Sequence, residues 1–367
     1  MRGAAAAKRL LLRLASARAG GEPASAPRKI FVHRCNDLGD LLVVTPLFEA
    51  LRRLHPQAEI VAGVGPWAAP LLEGNPHVDR VELLRTPWHN KAVPDPGILG
   101  KLAYLRDSAD LRRVRAERYD LGIDVTGSFY GALFLIRAGI PRRVGVEGYA
   151  GGDGGYTEAI AYDPALHVGA AALRLAGRLG LPESAFPENC PRLFPTGAEC
   201  AAAEASWKEG GAGPRIVLAP GAGFPAKAWP VENYRELAAL LAAEGANLAV
   251  VGGPGDAEEG SRIALAAAGR GRNLAGTLSL RGTAALVAGA DFVFCNSSMA
   301  MHAAAAFGKP AFVLLGPIYP SARAHMAQWG YPGLSHVMGR EDGGPLPTAR
   351  EVHARYRDLV LAREGAQ

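Results

Sequence analysis

RIVLAPGAGFPAKAWP, residues 215–230, runs from a short apolar strand through a Gly/Pro loop that carries Lys227 and into residues 231–244, which read as a helix. Strand, loop and helix in that order are the repeating unit of a parallel sheet wrapped by helices. The backbone N–H groups of Gly221, Ala222 and Gly223 turn toward the positive end of the helix, which suits an anion, and Lys227 adds a mobile charge. Phosphate is the natural ligand for such a loop. Seven of the forty basic residues are lysine, so an ammonium here stands out more than an arginine would. The same residues also read as an ordinary strand-to-helix connection with a solvated lysine, and the loop is not a Walker loop.

Working toward the C-terminus, strands at 216–219, 248–251, 292–295 and 311–314 alternate with helices near 231–243, 257–268, 280–288 and 298–307. Thr348 and Glu351 form a capping box that opens a final helix from 349 to about 362. Toward the N-terminus the alternation appears again. Strands are expected at 29–33, 59–64, 80–84, 121–125 and 143–146, with a helix ending near 54, a basic helix over 99–118 and further helices at 128–138 and 167–179. The first of these begins either at Gly39, tolerating Pro46, or at Thr45 as N-cap with Pro46 in first position. A Pro-punctuated stretch, 182–195, separates the halves. The expectation is an α/β protein of two Rossmann-like domains, 29–190 and 191–345, flanked by a basic tail, 1–28, and a C-terminal helix within 346–367. Ligands in such sheets bind outside the carboxyl ends of the strands, so the facing loops of the two halves would enclose a cleft.

Composition narrows the function. The chain has 367 residues, 49% of them hydrophobic and 20% charged, which suits two packed cores and excludes a disordered chain. A formal charge of +5 favours an anionic partner or membrane surface but is too mild to argue for nucleic acid. Cys35, Cys190, Cys200 and Cys295 are widely spaced, which suggests neither a zinc site nor a disulfide framework and fits a reducing cytoplasm. From residue 30 onward nothing approaches the length of an apolar membrane span. Residues 1–28 are rich in Ala and Arg with one acid, Glu22. They read as a basic amphipathic helix on anionic lipid, a disordered tail or an over-long start.

Four places hold residues able to do chemistry. Asp40, shortly after the first strand, is placed to take a proton from an acceptor hydroxyl, or else to satisfy a helix N-terminus. Asp124 ends its own strand and equally suits a cap for the helix near Ser128. Asp256, closing Gly252-Gly253-Pro254-Gly255-Asp256, can accept from ribose hydroxyls. Asn296-Ser297-Ser298-Met299-Ala300-Met301-His302 runs from a strand end into a helix, where hydroxyls and amides could hold a diphosphate; the alternative is capping by either serine with His302 in the core. There is no metal motif among the sequence patterns considered.

Taken together, the segments resemble glycosyltransferase family 9, the bacterial ADP-heptose:lipopolysaccharide heptosyltransferases and their relatives, over roughly residues 29–345. In family order come Leu38-Gly39-Asp40 with Thr45-Pro46-Leu47, Tyr119-Asp120-Leu121-Gly122-Ile123-Asp124 with Gly127-Ser128, Pro141-Arg142-Arg143-Val144-Gly145, Pro220-Gly221-Ala222 with Lys227-Ala228-Trp229-Pro230, Gly252-Gly253-Pro254, Leu274-Ala275-Gly276, and His302 with Gly316-Pro317. The resemblance implies a GT-B fold and an inverting, metal-independent transfer from a nucleotide-sugar. No cofactor is implied beyond that donor, which an ADP-sugar would satisfy. Asp40 is implied as the base, Lys227 as the cation on the leaving diphosphate, Asp256 as the ribose contact, Leu278 as the adenine contact, and Ser298 and His302 as diphosphate contacts. The chain departs from the family at Ser297, where an acid usually holds donor-sugar hydroxyls, and at Met299, where the position is usually open. A different nucleotide-sugar, or a nucleotide-binding protein that has lost transfer, therefore stands beside the leading expectation. That expectation is a cytoplasmic enzyme, peripheral on an anionic inner membrane, acting on a glycan or lipid-linked glycan acceptor.

Overall fold

The computed structural model describes residues 2–18 and 26–364, and the chain divides into two compact units, Met1–Arg192 and Leu193–Gln367. The first unit runs α1 (Arg2–Arg18), β1 (Lys29–His33), α2 (Leu38–Leu42), α3 (Pro46–Leu54), β2 (Glu59–Val64), β3 (Arg80–Leu83), α4 (Gly97–Asp107), α5 (Ala109–Ala116), β4 (Leu121–Asp124), α6 (Phe129–Arg137), β5 (Arg142–Glu147), β6 (Glu158–Ala161) and α7 (Val168–Arg178). Its sheet is parallel, in the order β3-β2-β1-β4-β5-β6. The second runs α8 (Gly197–Glu209), β7 (Arg215–Ala219), α9 (Val231–Ala243), β8 (Asn247–Val250), α10 (Ala257–Ala266), β9 (Gly271–Asn273), α11 (Leu280–Ala288), β10 (Phe292–Cys295), α12 (Met299–Ala306), β11 (Ala311–Leu314), α13 (Ala322–Trp329), β12 (Ser335–Met338) and α14 (Ala349–Glu364). It too is parallel, in the order β12-β11-β10-β7-β8-β9.

Numbered within its own unit, each sheet has the Rossmann order 3-2-1-4-5-6. The strand order reverses between β1 and β4 in the first unit and between β7 and β10 in the second, and loops leaving the carboxyl ends diverge there. The expected class of two Rossmann-like α/β domains is what the chain forms.

The strands follow from their side chains. In β7, Ile216 and Leu218 enter a core with Trp229, Tyr234 and Phe294, while Val217 and Ala219 enter the opposite core with Trp207 and Met301. Period-two alternation with apolar residues on both faces is the pattern of a strand covered by helices on both sides. Helix α14 belongs to the first of those cores through Ala349, Val352 and Tyr356. Its capping box forms as read, with Glu351 accepting from the Thr348 N–H at 2.7 Å and the Thr348 hydroxyl accepting from the Glu351 N–H at 3.3 Å.

Several elements differ from the sequence expectation. The helix expected over 99–118 is two helices, because Ser108 is extended and its hydroxyl accepts from the Leu111 N–H at 3.1 Å, capping α5. Both readings of the first helix hold in part. The α2 and α3 helices are separate and Pro46 opens α3, but the Thr45 hydroxyl donates back to the Leu42 carbonyl at 2.7 Å and does not cap α3. Edge strands β6, β9 and β12 were not expected, being three or four residues long and only partly buried, so that no apolar run marks them. Over 2–18 the chain is a helix and not a disordered tail. Leu12 is buried among Phe129, Ala132, Ile136 and Tyr156, and Ser16 accepts from the Arg143 guanidinium. Residues 19–25 of the basic tail lie outside the described residues.

Candidate functional site

The two strand-order reversals carry the polar residues. In the first unit, β1 ends at His33 and the chain passes through Arg34, Asn36 and Asp37 into α2. Asp37 occupies the N-cap position of that helix, so Asp40 is not the cap; it lies in the first turn with its side chain about one-third exposed. Its neighbour is Arg34, a buried guanidinium. Arg34 donates to the Asp40 carbonyl at 3.0 Å, to its carboxylate at 3.4 Å and to the Thr126 hydroxyl at 3.0 Å, and that hydroxyl donates to Asn36 Oδ1 at 3.1 Å. The loops after β1 and β4 are thereby bound together, with one carboxylate left reachable from solvent.

Asp124 has the opposite character. It is fully buried and accepts from the N–H groups of Thr126 at 3.2 Å and Ser128 at 2.9 Å and from the Tyr156 hydroxyl at 2.8 Å, while His33 Nδ1 lies 3.6 Å away. Burial pushes its pKa up. The facing His33, the Tyr156 hydroxyl and the Ser128 N–H outweigh burial, and the carboxyl sits below its usual range. Gly131 makes this possible, since a Cβ there would stand 2.7 Å from the Asp124 carboxyl carbon. Ser128 caps α6 itself, so Asp124 organises the loop and does not cap that helix alone.

In the second unit the loop after β7 makes a 3₁₀ turn at Pro225–Lys227 before α9 begins. Lys227 Nζ lies 5.2 Å from the centre of the Phe224 ring. The turn is held from outside by the Gly316 N–H on the Lys227 carbonyl and the Ile318 N–H on the Ala226 carbonyl, both at 3.1 Å. It is held from beneath by Asn296, whose side-chain oxygen accepts from the Trp229 N–H at 3.0 Å and the Tyr234 hydroxyl at 3.2 Å and whose amide donates to the Pro220 carbonyl. Gly221 and Ala222 are half-buried and Gly223 is exposed.

The loop after β8 meets the same place. Asp256 accepts from the Gly253 N–H at 2.7 Å, and a Cβ on Gly221 or Gly252 would stand 2.7 or 2.6 Å from its carboxylate. Only glycine lets those two strand ends close around the acid. Ser298 is the N-cap residue of α12, yet neither Ser297 nor Ser298 caps it with a side chain; the Ser297 hydroxyl instead pairs with His325 Nε2 at 2.8 Å. His302 is buried, with Nδ1 2.6 Å from the Tyr331 hydroxyl, and Leu278 packs half-buried against the core that holds Trp207. Gly221, Lys227, Asp256 and Ser297 thus gather at the ends of three adjacent strands, while His302 is buried against Tyr331 and Leu278 packs on the core.

His325 escaped the sequence reading. It is 5% exposed, its Nδ1 has no hydrogen-bond partner, and burial together with the Lys227 charge lowers its pKa to about 4. The imidazole is therefore neutral at physiological pH. An orphaned N–H costs more than an orphaned lone pair, so the proton belongs on Nε2, donating to Ser297 and leaving the Ser297 hydroxyl proton to point elsewhere. Arg34 and Asn296 were likewise not assigned their roles. Nothing local in the sequence marks Arg34, and Asn296 stands there as one residue of a polar strand end.

Comparison with known proteins gives the family. The profile of glycosyltransferase family 9 (heptosyltransferase) matches residues 109–327. Lipopolysaccharide heptosyltransferase 2 of Escherichia coli (strain K12) is 31% identical over 307 residues, covering 80% of this chain and 84% of that protein. The solved structure of E. coli ADP-heptose LPS heptosyltransferase II, 28% identical, matches with a TM-score of 0.70 over 92% of this chain and 99% of that one. A glycosyl transferase family 9 structure from Veillonella parvula, 18% identical, shares the fold with a TM-score of 0.71 over 92% of each chain. The profile spans more than half of the sequence, and the two-unit α/β architecture is that of the GT-B structures it resembles. This chain belongs to glycosyltransferase family 9 and is a glycosyltransferase.

Proposed function

We propose that the protein transfers a heptose, or a closely related sugar, from an ADP-linked donor to a lipopolysaccharide or other cell-surface glycan acceptor, with inversion and without a metal or other cofactor. The observation that carries the reading is the contrast at the two strand-order reversals: a reachable carboxylate, Asp40, in one unit and a cationic, amide-lined loop around Lys227 in the other. An acceptor hydroxyl gives its proton to Asp40 as its oxygen bonds to the anomeric carbon. The bond from that carbon to the diphosphate breaks, and the electron pair leaves with the diphosphate. Lys227 and the loop N–H groups neutralise the charge that develops there, which is where fixed electrostatics contribute most to a transfer of this type. Asp256 would hold the ribose and Leu278 the adenine, with Ser298 and His302 near the diphosphate. The enzyme would work in the cytoplasm, meeting a lipid-linked acceptor at the inner membrane.

Support for the donor comes from the relatives, named for heptosyl transfer and, in one solved structure, for ADP-heptose. Ser297 favours a second reading in which the sugar differs, because a serine fixed by neutral His325 offers no charged acceptor to sugar hydroxyls. The test is release of nucleoside diphosphate and the mass gain of acceptor, with purified full chain, a lipid-linked core acceptor and a panel of ADP-, UDP- and GDP-sugars. Transfer from ADP-heptose alone supports the first reading and transfer from another donor the second. ADP binding that is lost in Lys227→Ala, with no transfer from any donor, would leave a nucleotide-binding protein and sink both.

A further inference from the structure

Two helices of the first unit display apolar side chains that the fold does not use. On α1, Leu10, Leu11 and Leu14 are 59%, 51% and 55% exposed; on α4, Ile98, Leu99 and Leu102 are 69%, 84% and 42% exposed. The spacing i, i+1, i+4 is the same in both, and at about 100° per residue it makes one ridge along a helix. On α1 the inward face is fixed independently by buried Leu12 and by Ser16 bonded to Arg143. Leu10 and Leu14 lie opposite that face, so the ridge points away from the protein. Scattered surface leucines need no explanation, but two matching ridges do.

The two helices that carry the ridges share a neighbour. Both helices pack against α6. Lys8 Nζ of α1 lies 5.4 Å over the Phe129 ring, Lys101 Nζ of α4 lies 5.4 Å over the Tyr130 ring, and those two rings are 5.3 Å apart. The two helices therefore flank the same turn of α6.

Charge identifies the occupant. α1 has no acidic residue, and exposed Arg9 and Arg13 border its ridge; on α4, Arg106 is exposed, while Asp95 is tied to Lys101 at 2.7 Å and Asp107 to Arg112 at 2.9 Å. We propose that the outward faces of α1 and α4 form a docking surface for an anionic lipid bilayer, the leucine ridges entering the headgroup boundary while the basic side chains meet lipid phosphates. A short helix with an apolar ridge and a cationic border lies in the plane of a membrane and does not cross it. No helix among the described residues is long and apolar enough to cross one. This surface is independent of the donor and acceptor assigned above.

Flotation of the full chain with vesicles of phosphatidylethanolamine and phosphatidylglycerol, and with phosphatidylcholine vesicles, at low and high salt, tests it. The parent protein is expected to float with the anionic vesicles and far less with the zwitterionic ones. The triple variants Leu10→Ser/Leu11→Ser/Leu14→Ser and Ile98→Ser/Leu99→Ser/Leu102→Ser should each lower the bound fraction roughly tenfold or more. All six side chains are exposed, so both variants should melt like the parent, and soluble transferase activity serves as the check on folding. The proposal is overturned if the parent does not float, or if binding to anionic vesicles survives both triple substitutions unchanged. It is also overturned if the parent is a dimer that either variant dissolves, for then the ridges serve contact between copies of this chain.

Discussion

Each unit has a buried polar side chain where its fourth strand ends, and the two differ in charge. In the first it is Asp124, which collects two backbone N–H groups and a tyrosine hydroxyl beside His33; in the second it is Asn296, which accepts from a backbone N–H and a tyrosine hydroxyl and donates to the Pro220 carbonyl. Both are completely buried, at the same topological position of sheets with the same strand order. The environment explains the choice. An anion can stay buried beside His33, whereas a second anion beneath the Lys227 loop would compete with the phosphates proposed for that loop. A neutral amide ties the loop after β7 to the end of β10 and leaves the charge of Lys227 uncompensated from beneath. Position in the fold sets where an organiser is needed, and the ligand sets which charge it bears.

Substitutions sharpen that contrast, beginning with the acid that is not an organiser. Asp40→Asn should lower kcat by about 10²–10⁴ while leaving ADP affinity within about twofold, because it removes a proton acceptor and no donor contact. Steady-state kinetics with calorimetric ADP binding would check it, and equal activity in the variant would remove Asp40 from the reaction. Asp124→Asn should cost about 3 kcal/mol in urea unfolding, since an amide cannot accept from all the donors now facing the carboxylate. The Asp124 carboxyl is held below its usual range in the fold, so its contribution is complete above the ordinary aspartate pKa, near 4, and disappears as pH falls through the lower folded value. The variant should therefore have a flatter acid limb below about pH 4.

The reverse exchange, Asn296→Asp, should cost about 2 kcal/mol and weaken ADP binding, because the carboxylate would face the Pro220 carbonyl where the amide now donates. If it is as stable as the parent and binds ADP equally well, the comparison between the two organisers fails. The smallest effect belongs to His325. Its folded pKa of about 4 lies below the ordinary histidine value near 6.5, so the unfolded chain takes up the proton first and stability falls as pH drops from above 6.5 toward 4. His325→Gln should remove about 1 kcal/mol of that dependence at pH 5.5, measured as the difference in melting free energy between pH 8 and pH 5.5. An unchanged difference would show that the imidazole is not held neutral.

Much of this was legible in the residues. Apolar runs such as Ile30 to Val32 and Ile216 to Leu218 mark the central strands because both faces are covered, and the acids and the lysine after them stand at loops that strand order brings together. Polar partners from distant segments were not legible. Arg34 reaches Thr126, and His325 reaches Ser297 from another helix, through contacts that no local pattern encodes. The ends of the chain misled for a related reason. Residues 2–18 look like a tail because their buried leucine, Leu12, is hidden among alanines, arginines and outward leucines.

The indole of Trp229, two residues past Lys227, donates at 2.9 Å to the carbonyl of Pro347, just ahead of α14, and that helix fills the same core as Trp229 through Val352 and Tyr356. Order of synthesis follows from this. A chain growing from the ribosome can complete the first unit and both central strands of the other sheet before residue 347 emerges, and until then the lysine loop lacks one of its fixed supports. On the proposed reading the nucleotide seat is complete only once residue 347 has joined the fold, so a chain stopped before it would carry Asp40 beside a Lys227 loop that lacks this support.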